Sequence, residues 1–144
     1  MGRSVTYNPS EVDIIYGPVK VDGYAEGEFI TGSQEEETFL KVVGSNGEFC
    51  WSHNANDSTI WTLKLIQSSA SNALLSALHS LDIQTRGRSP QTLYVKDRSG
   101  TTLWASPTAR IIKPADISFD KQAKNREWTI CAVGQPPTNL IGGN

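Results

Sequence analysis

Residues 69–82 carry the one strong helix signal in a chain that otherwise reads as strands. Leu74, Leu78 and Leu81 recur at i, i+4 and i+7 with Leu75 beside them. That spacing predicts a helix over about 70–82 with four leucines on one face. Ser69 and Ser71 are the candidate N-caps, because each hydroxyl oxygen can accept a free N–H of the first turn. A helix that is apolar on one side must lie against something, and only strands flank it. The chain is thereby limited to folds in which sheets carry a helix on one flank.

The flanking segments support this. Val12–Tyr16 reads as a strand, and Asp22-Gly23 as a turn. Tyr24–Thr31 alternates, which predicts a strand with Ala25, Gly27 and Phe29 on one face and Glu26 and Glu28 on the other. Phe39–Val43 and Glu48–His53 flank Asn46-Gly47, a strong hairpin signal. Thr59–Gln67 is the clearest strand, with Trp61, Leu63 and Leu65 on one side. After the helix, Gln91–Asp97 and Thr101–Ser106 flank the turn Arg98-Ser99-Gly100. Ala109–Ile112 forms a separate strand, and Asn125–Val133 is the last, broken by Pro136-Pro137. No tandem repeat or linker interrupts the series. The expectation is a single domain, 1–144, of two packed sheets with a helix at one side.

Composition narrows the function classes. With 38% hydrophobic and 19% charged residues, the chain has the balance of an ordered globular protein. A net charge of −2 argues against a general nucleic-acid binder, which shows a basic stripe. Cys50 and Cys131 are expected as reduced thiols, which fits synthesis in the cytosol. No apolar run approaches the ~20 residues that span a bilayer, and the first ten residues lack a signal-peptide core. The expectation is a protein made and used without export.

The residues of chemistry are sparse. His53 and His79 are the near-neutral acid–base groups, and Cys50-x-x-His53 alone falls short of the four ligands of a zinc site. No nucleophile elbow, phosphate loop or zinc-protease motif is present. Glu35-Glu36-Glu37 reads as a solvated loop or a charged contact surface, since acid–base work needs two unlike environments. Trp61 and Trp128 alternate with apolar neighbours and are expected in the core. Trp51 and Trp104 are open to an interface, or to a carbohydrate platform on a monomeric β-sandwich module. No catalytic, cofactor-binding or metal residue is assigned, and an enzyme is not expected.

Six segments together resemble a known family. They are Gly23–Phe29, Lys41–Glu48, Leu65–Asn72, Val95–Thr101, Lys113-Pro114 and Asn125–Ile130. Their order and spacing, over about Val5 to Asn144, resemble the small tail tube protein of contractile-tailed bacteriophages. The resemblance implies two orthogonally packed sheets in a barrel-like sandwich with one flanking helix. It implies hexameric rings, stacked head to tail into a tube inside a contractile sheath. The partners so implied are further copies of the chain, the sheath, and tape-measure and baseplate or terminator proteins, with double-stranded DNA passing through unbound. No cofactor and no membrane are implied. The location would be the virion tail, assembled in the host cytoplasm. Related tubes of secretion systems and phage-like bacteriocins carry the same implications. Residues 33–58 would match the extended loop that reaches a neighbouring subunit and ring, with Glu35, Glu36, Glu37, Phe39, Lys41, Glu48 and Trp51 as contacts. Glu26 and Glu28 are the candidate lumen residues, an acidic lining over which DNA slides. Ser76, His79 and Ser80 are the candidate outer surface of the helix.

Overall fold

A computed structural model describes residues 12–98, 102–119, 122 and 124–133. Along them run β1 (Val12–Tyr16), β2 (Val19–Lys20), β3 (Ile30–Gln34), β4 (Phe39–Val43), β5 (Phe49–His53) and β6 (Thr59–Leu65). Then come α1 (Ser71–Gln84), β7 (Gln91–Asp97), β8 (Leu103–Lys113) and β9 (Arg126–Val133). Seven strands form one antiparallel sheet in the order β2-β1-β7-β8-β9-β6-β3, and β4 and β5 form a second sheet of two. Two antiparallel sheets and one helix match the expected class, but the sheets are very unequal. No ladder joins β2 to β3 among the described residues, so the large sheet is open at both edges.

β8 holds the large sheet together. The sequence predicts a break between Ser106 and Ala109, yet β8 runs through all 11 residues. Pro107 has no N–H to give to a ladder. The Ser106 hydroxyl bridges the irregularity instead, reaching the carbonyls of Val133 (2.6 Å) and Thr108 (3.0 Å). β7 pairs with the first half of β8, and β9 with the second. One long strand therefore joins two offset halves, and their inner faces share one core. Trp61 of β6 meets Trp104 of β8 edge-on with ring centroids 5.6 Å apart. Both are buried, as is Trp128, so Trp104 is a core residue and not an interface one.

The strand expected over Tyr24–Thr31 begins only at Ile30. Gly27 lies at φ +76°, in the left-handed region, and turns the chain before a ladder can form. The stretch before it is tied to β6 by the bridge of Tyr24 to Leu65 and by the Ala25 N–H to the Lys64 carbonyl (3.0 Å). Once formed, β3 lies so close to β6 that a Cβ on Gly32 would meet the Trp61 ring at 2.5 Å.

α1 packs through a narrower stripe than the leucines suggest. Leu75 is fully buried and Leu78 half-buried, but Leu74 and Leu81 are about half exposed. The buried row is Ser71, Leu75, Leu78 and Asp82, displaced by one residue from the leucine row. Polar anchors set that rotation. Ser71 Oγ accepts the Asp22 N–H (3.0 Å), and Asp82 pairs with Arg110 on β8 (3.2 Å). The N-cap is Ala70, without a side-chain cap. Ser69 still contributes, since its Oγ accepts the Ser71 N–H (3.2 Å) and donates to the Asp22 carbonyl (2.6 Å). The turn at Ser99-Gly100 and the Pro136-Pro137 break lie outside the described residues.

Candidate functional site

The β4–β5 hairpin leaves the large sheet between Gln34 and Thr59, which are themselves paired across β3 and β6. Its turn is closed by the Gly44 N–H to the Glu48 carbonyl (2.7 Å) and the Gly47 N–H to the Gly44 carbonyl (3.0 Å). Gly47 sits at φ +83°, a conformation that glycine adopts without a Cβ clash. One face carries Phe39, Lys41 and Val43 opposite His53, Trp51 and Phe49; the other carries Leu40 and Val42 opposite Ser52 and Cys50. Both faces are exposed along their whole length. Phe49 and Trp51 each expose 65% of their surface, and Phe39 58%. The local contacts are thin: Phe39 tilts against His53 at 5.5 Å, and Lys41 Nζ stands 5.4 Å over the Phe49 ring. A two-stranded ribbon with both faces in water is marginal by itself, and an apolar patch of this kind marks an interaction surface.

The base of the hairpin is an exposed, hydrogen-bonded collar. The Asn54 N–H donates to the Thr38 carbonyl (2.8 Å), closing the stem. The Glu36 carboxylate accepts from the side-chain amides of Asn54 (3.0 Å) and Asn56 (3.1 Å). Gln34 Nε2 donates to the Glu36 carbonyl (2.7 Å) and to Thr38 Oγ1 (2.8 Å). Asn54 and Asn56 each cap the backbone N–H two residues on, the Asx turn that short polar side chains favour. Among the described residues no ion pair reaches Glu35, Glu36 or Glu37. Glu36 is thus committed to the collar, while Glu35 and Glu37 present free charge. The Glu35 charge and, more strongly, burial push the Cys131 thiol above its ordinary pKa, against a lowering hydrogen bond from Ser58. Both cysteines are free thiols.

The remaining candidates do not converge with the collar. Glu26 and Glu28 are exposed, but they flank Gly27 in a loop and share no strand face. The Glu28 carboxylate accepts the Thr31 hydroxyl. Ser76 and Ser80 are exposed on α1, and His79 is half-buried with an unpartnered Nδ1. Among the described residues no group of His, Cys, Asp and Glu is placed to hold a metal ion, and no helix is long and apolar enough to cross a membrane.

Sequence reasoning missed one surface. Thr31, Thr62 and Thr129 stand side by side across β3, β6 and β9, and Ser33, Ile60 and Cys131 form the next row of the same face. Lys64 and Glu127 stand opposite each other at its end. This hydroxyl-rich face alternates with the buried residues of the same strands and carries no net charge. The alternation of β6 was its only signal; the pairing of β3 and β9 on either side was needed to assemble it.

Comparison with known proteins places the chain. Residues 13–135 match the family model described as Bacteriophage PhiTE tail tube protein. The chain is 29% identical over 150 residues to Structural protein ORF10 of Pseudomonas phage KPP10, a match covering 99% of this chain and 86% of that protein. Its fold is similar to a chain of the sheath-tube complex of an extracellular contractile injection system, PVC, in the extended state. That match has a TM-score of 0.63 and 16% identity, over 91% of this chain and 90% of the other. A chain of the sheath/tube terminator of the same system matches with a TM-score of 0.62 and 15% identity, over 94% and 98%. The tube terminating cap of the anti-feeding prophage matches with a TM-score of 0.56 and 12% identity, over 92% and 90%.

Proposed function

The chain belongs to the bacteriophage PhiTE tail tube protein family, and from that premise we propose how it builds its tube. Its role is structural: it forms the wall of a tail-tube conduit. The geometry that carries the assembly reading is the hairpin, whose six large apolar side chains are 45–65% exposed. In the assembled tube that ribbon is covered by a neighbouring copy. Copies form hexameric rings that stack head to tail. The open edges at β2 and β3 pair between neighbours, which removes free strand edges and favours a ring over open aggregates. Within that ring the two halves of the large sheet act as the crossed layers of a barrel-like sandwich.

The lumen follows from charge. DNA carries one negative charge per ~1.7 Å of axis, so a basic wall would hold it. Glu26 and Glu28, both exposed, face the channel together with the hydroxyl-rich face of β3, β6 and β9, which carries no net charge. DNA then slides through without specific binding. Ser76, His79 and Ser80 of α1 face outward to a sheath, and a terminator or cap closes the end of the tube. The fold neighbours come from complexes with those components. A tape-measure protein sets the length and a baseplate starts the tube, with assembly in the host cytoplasm before the tail joins the virion. The carbohydrate-platform alternative loses one of its two tryptophans, because Trp104 is buried against Trp61.

Negative-stain microscopy of the purified protein tests the reading. Rings or hollow tubes are the expected result. A chain that stays a 15.7 kDa monomer at tens of micromolar would overturn it.

A further inference from the structure

Charge is divided along this chain. Ten of its 15 carboxylates precede Trp61, but only three of its 13 lysines and arginines do. Strand register turns this into a division in space. β6 runs from Thr59, which pairs with Gln34 and Ala132, to Leu65, which pairs with Arg126. The hairpin and its acidic collar therefore leave the Thr59 end. Lys124 and Arg126 lie at the Leu65 end, about 20 Å away at ordinary strand rise, while Lys113, in the row of Thr129 and Thr62, stands at mid-strand, about 10 Å away.

This second corner is built like a counterpart of the first. Lys113, Lys124 and Arg126 line one cleft with Asp116 and Glu127. Glu127 stands opposite Lys64 in the ladder, so among the described residues four bases meet two carboxylates there. Arg126 Nη1 donates to the Asp116 carbonyl (2.9 Å), and its guanidinium lies 5.9 Å from the Phe119 ring centroid. Beside these bases Phe119 is 83% exposed, Ile117 80% and Ile112 52%. The corner is thus basic and apolar, and the hairpin end is acidic and apolar. Of the other exposed bases, Arg86 and Arg88 follow α1 near Gln91, which pairs with Ala109 and so lies at the hairpin's own end; Lys41 is on the hairpin itself, Lys20 and Arg98 pair with Asp13, and Lys96 is on β7.

We infer that the collar carboxylates Glu35 and Glu37 and the hairpin of one copy dock on the corner formed by Lys113, Lys124 and Arg126 of the next copy. The inference rests on the tube reading and adds the identity of the counter-surface. Opposite ends of one subunit that complement each other make a heterologous contact, which propagates copies in a single direction. Charge selects the partner end: acidic collar against acidic collar, or basic corner against basic corner, repels. The stack is therefore polar, and a reversed copy is rejected.

Two charge reversals test this. In the first variant Glu35→Lys is combined with Glu37→Lys; in the second, Lys113→Glu with Lys124→Glu. Neither touches Glu36 or Arg126, which hold their own segments. Each variant alone should lose roughly tenfold or more in polymer at low salt, read by sedimentation and microscopy, with an unchanged circular dichroism spectrum. An equimolar mixture should recover tubes, because every junction in an alternating stack is again acid on base. If a reversal unfolds the subunit, the neutral pair Glu35→Gln with Glu37→Gln replaces it and should give a smaller loss. Reversed variants that polymerise like wild type, or a folded mixture that stays dispersed, would overturn this inference and leave the tube reading standing. A wild-type chain that never assembles would overturn both.

Discussion

Tyr24 shows how single groups in this subunit are tuned. Its ring stacks on Phe29 with centroids 4.5 Å apart, and its hydroxyl donates to the Val12 carbonyl (3.3 Å). Burial, and then the charges of Asp13 and Asp22, push its pKa up to about 12. A pKa raised by folding gives a contribution to stability that is complete below the unfolded value of about 10. It is lost as pH rises towards 12. In Tyr24→Phe, which keeps the stack, the fall of the urea midpoint across that window should be shallower than in wild type. Tyr16 is also raised by burial, so some slope should remain. The cysteines give a second contrast. Exposed Cys50 should react with a thiol reagent near pH 8 well before Cys131, whose raised pKa leaves less thiolate. Glu35→Gln removes one of the two causes of that shift and should speed Cys131 labelling without changing Cys50.

At the scale of elements, the helix separates what a sequence shows from what packing decides. The existence of α1 was legible from leucine spacing, because periodicity is a local property. Its rotation was not, because Ser71 and Asp82 are turned inward by Asp22 and Arg110, which are distant in the chain. Leu75→Ala should therefore cost about 2–5 kcal/mol, as full burial implies, and Leu74→Ala under about 1 kcal/mol, both read from urea denaturation. The strands follow the same division. β6 was legible from its strict alternation, and β4 and β5 sit where alternation and Asn46-Gly47 placed them. The Tyr24–Thr31 strand failed on one backbone angle at Gly27, and the continuity of β8 depended on a hydroxyl bridging from Ser106 to Val133. Of the candidate site, the acidic cluster was visible, but its collar needed Asn54 and Asn56, some twenty residues away, to be seen. Because Thr38 and Asn54 are joined by a backbone hydrogen bond, residues 39–53 can be replaced by a short Gly-Ser turn. The expected product is a folded monomer that forms no tubes. Long tubes from that variant in micrographs would refute the docking role of the hairpin.

For the whole molecule, the lumen assignment has a kinetic consequence. Glu26→Lys combined with Glu28→Lys should leave tube assembly intact, since both residues lie in an exposed loop away from the collar. A basic lining should retard passage of the genome, so phage carrying these tubes should eject DNA more slowly, most visibly at low salt where screening is weakest. Unchanged ejection would show that the channel wall lies elsewhere. The sheet order bears on synthesis as well as on transport. β9, the last strand described, sits between β8 and β6, near the middle of the large sheet. Until residues 126–133 have left the ribosome, β6 and β3 have no ladder to join them to the other strands. The hairpin emerges many residues earlier, at a point when the platform that aims it does not exist. Translation thus imposes a delay: a growing chain cannot offer both ends of a polar contact, and only the finished subunit is competent to add to a growing polymer.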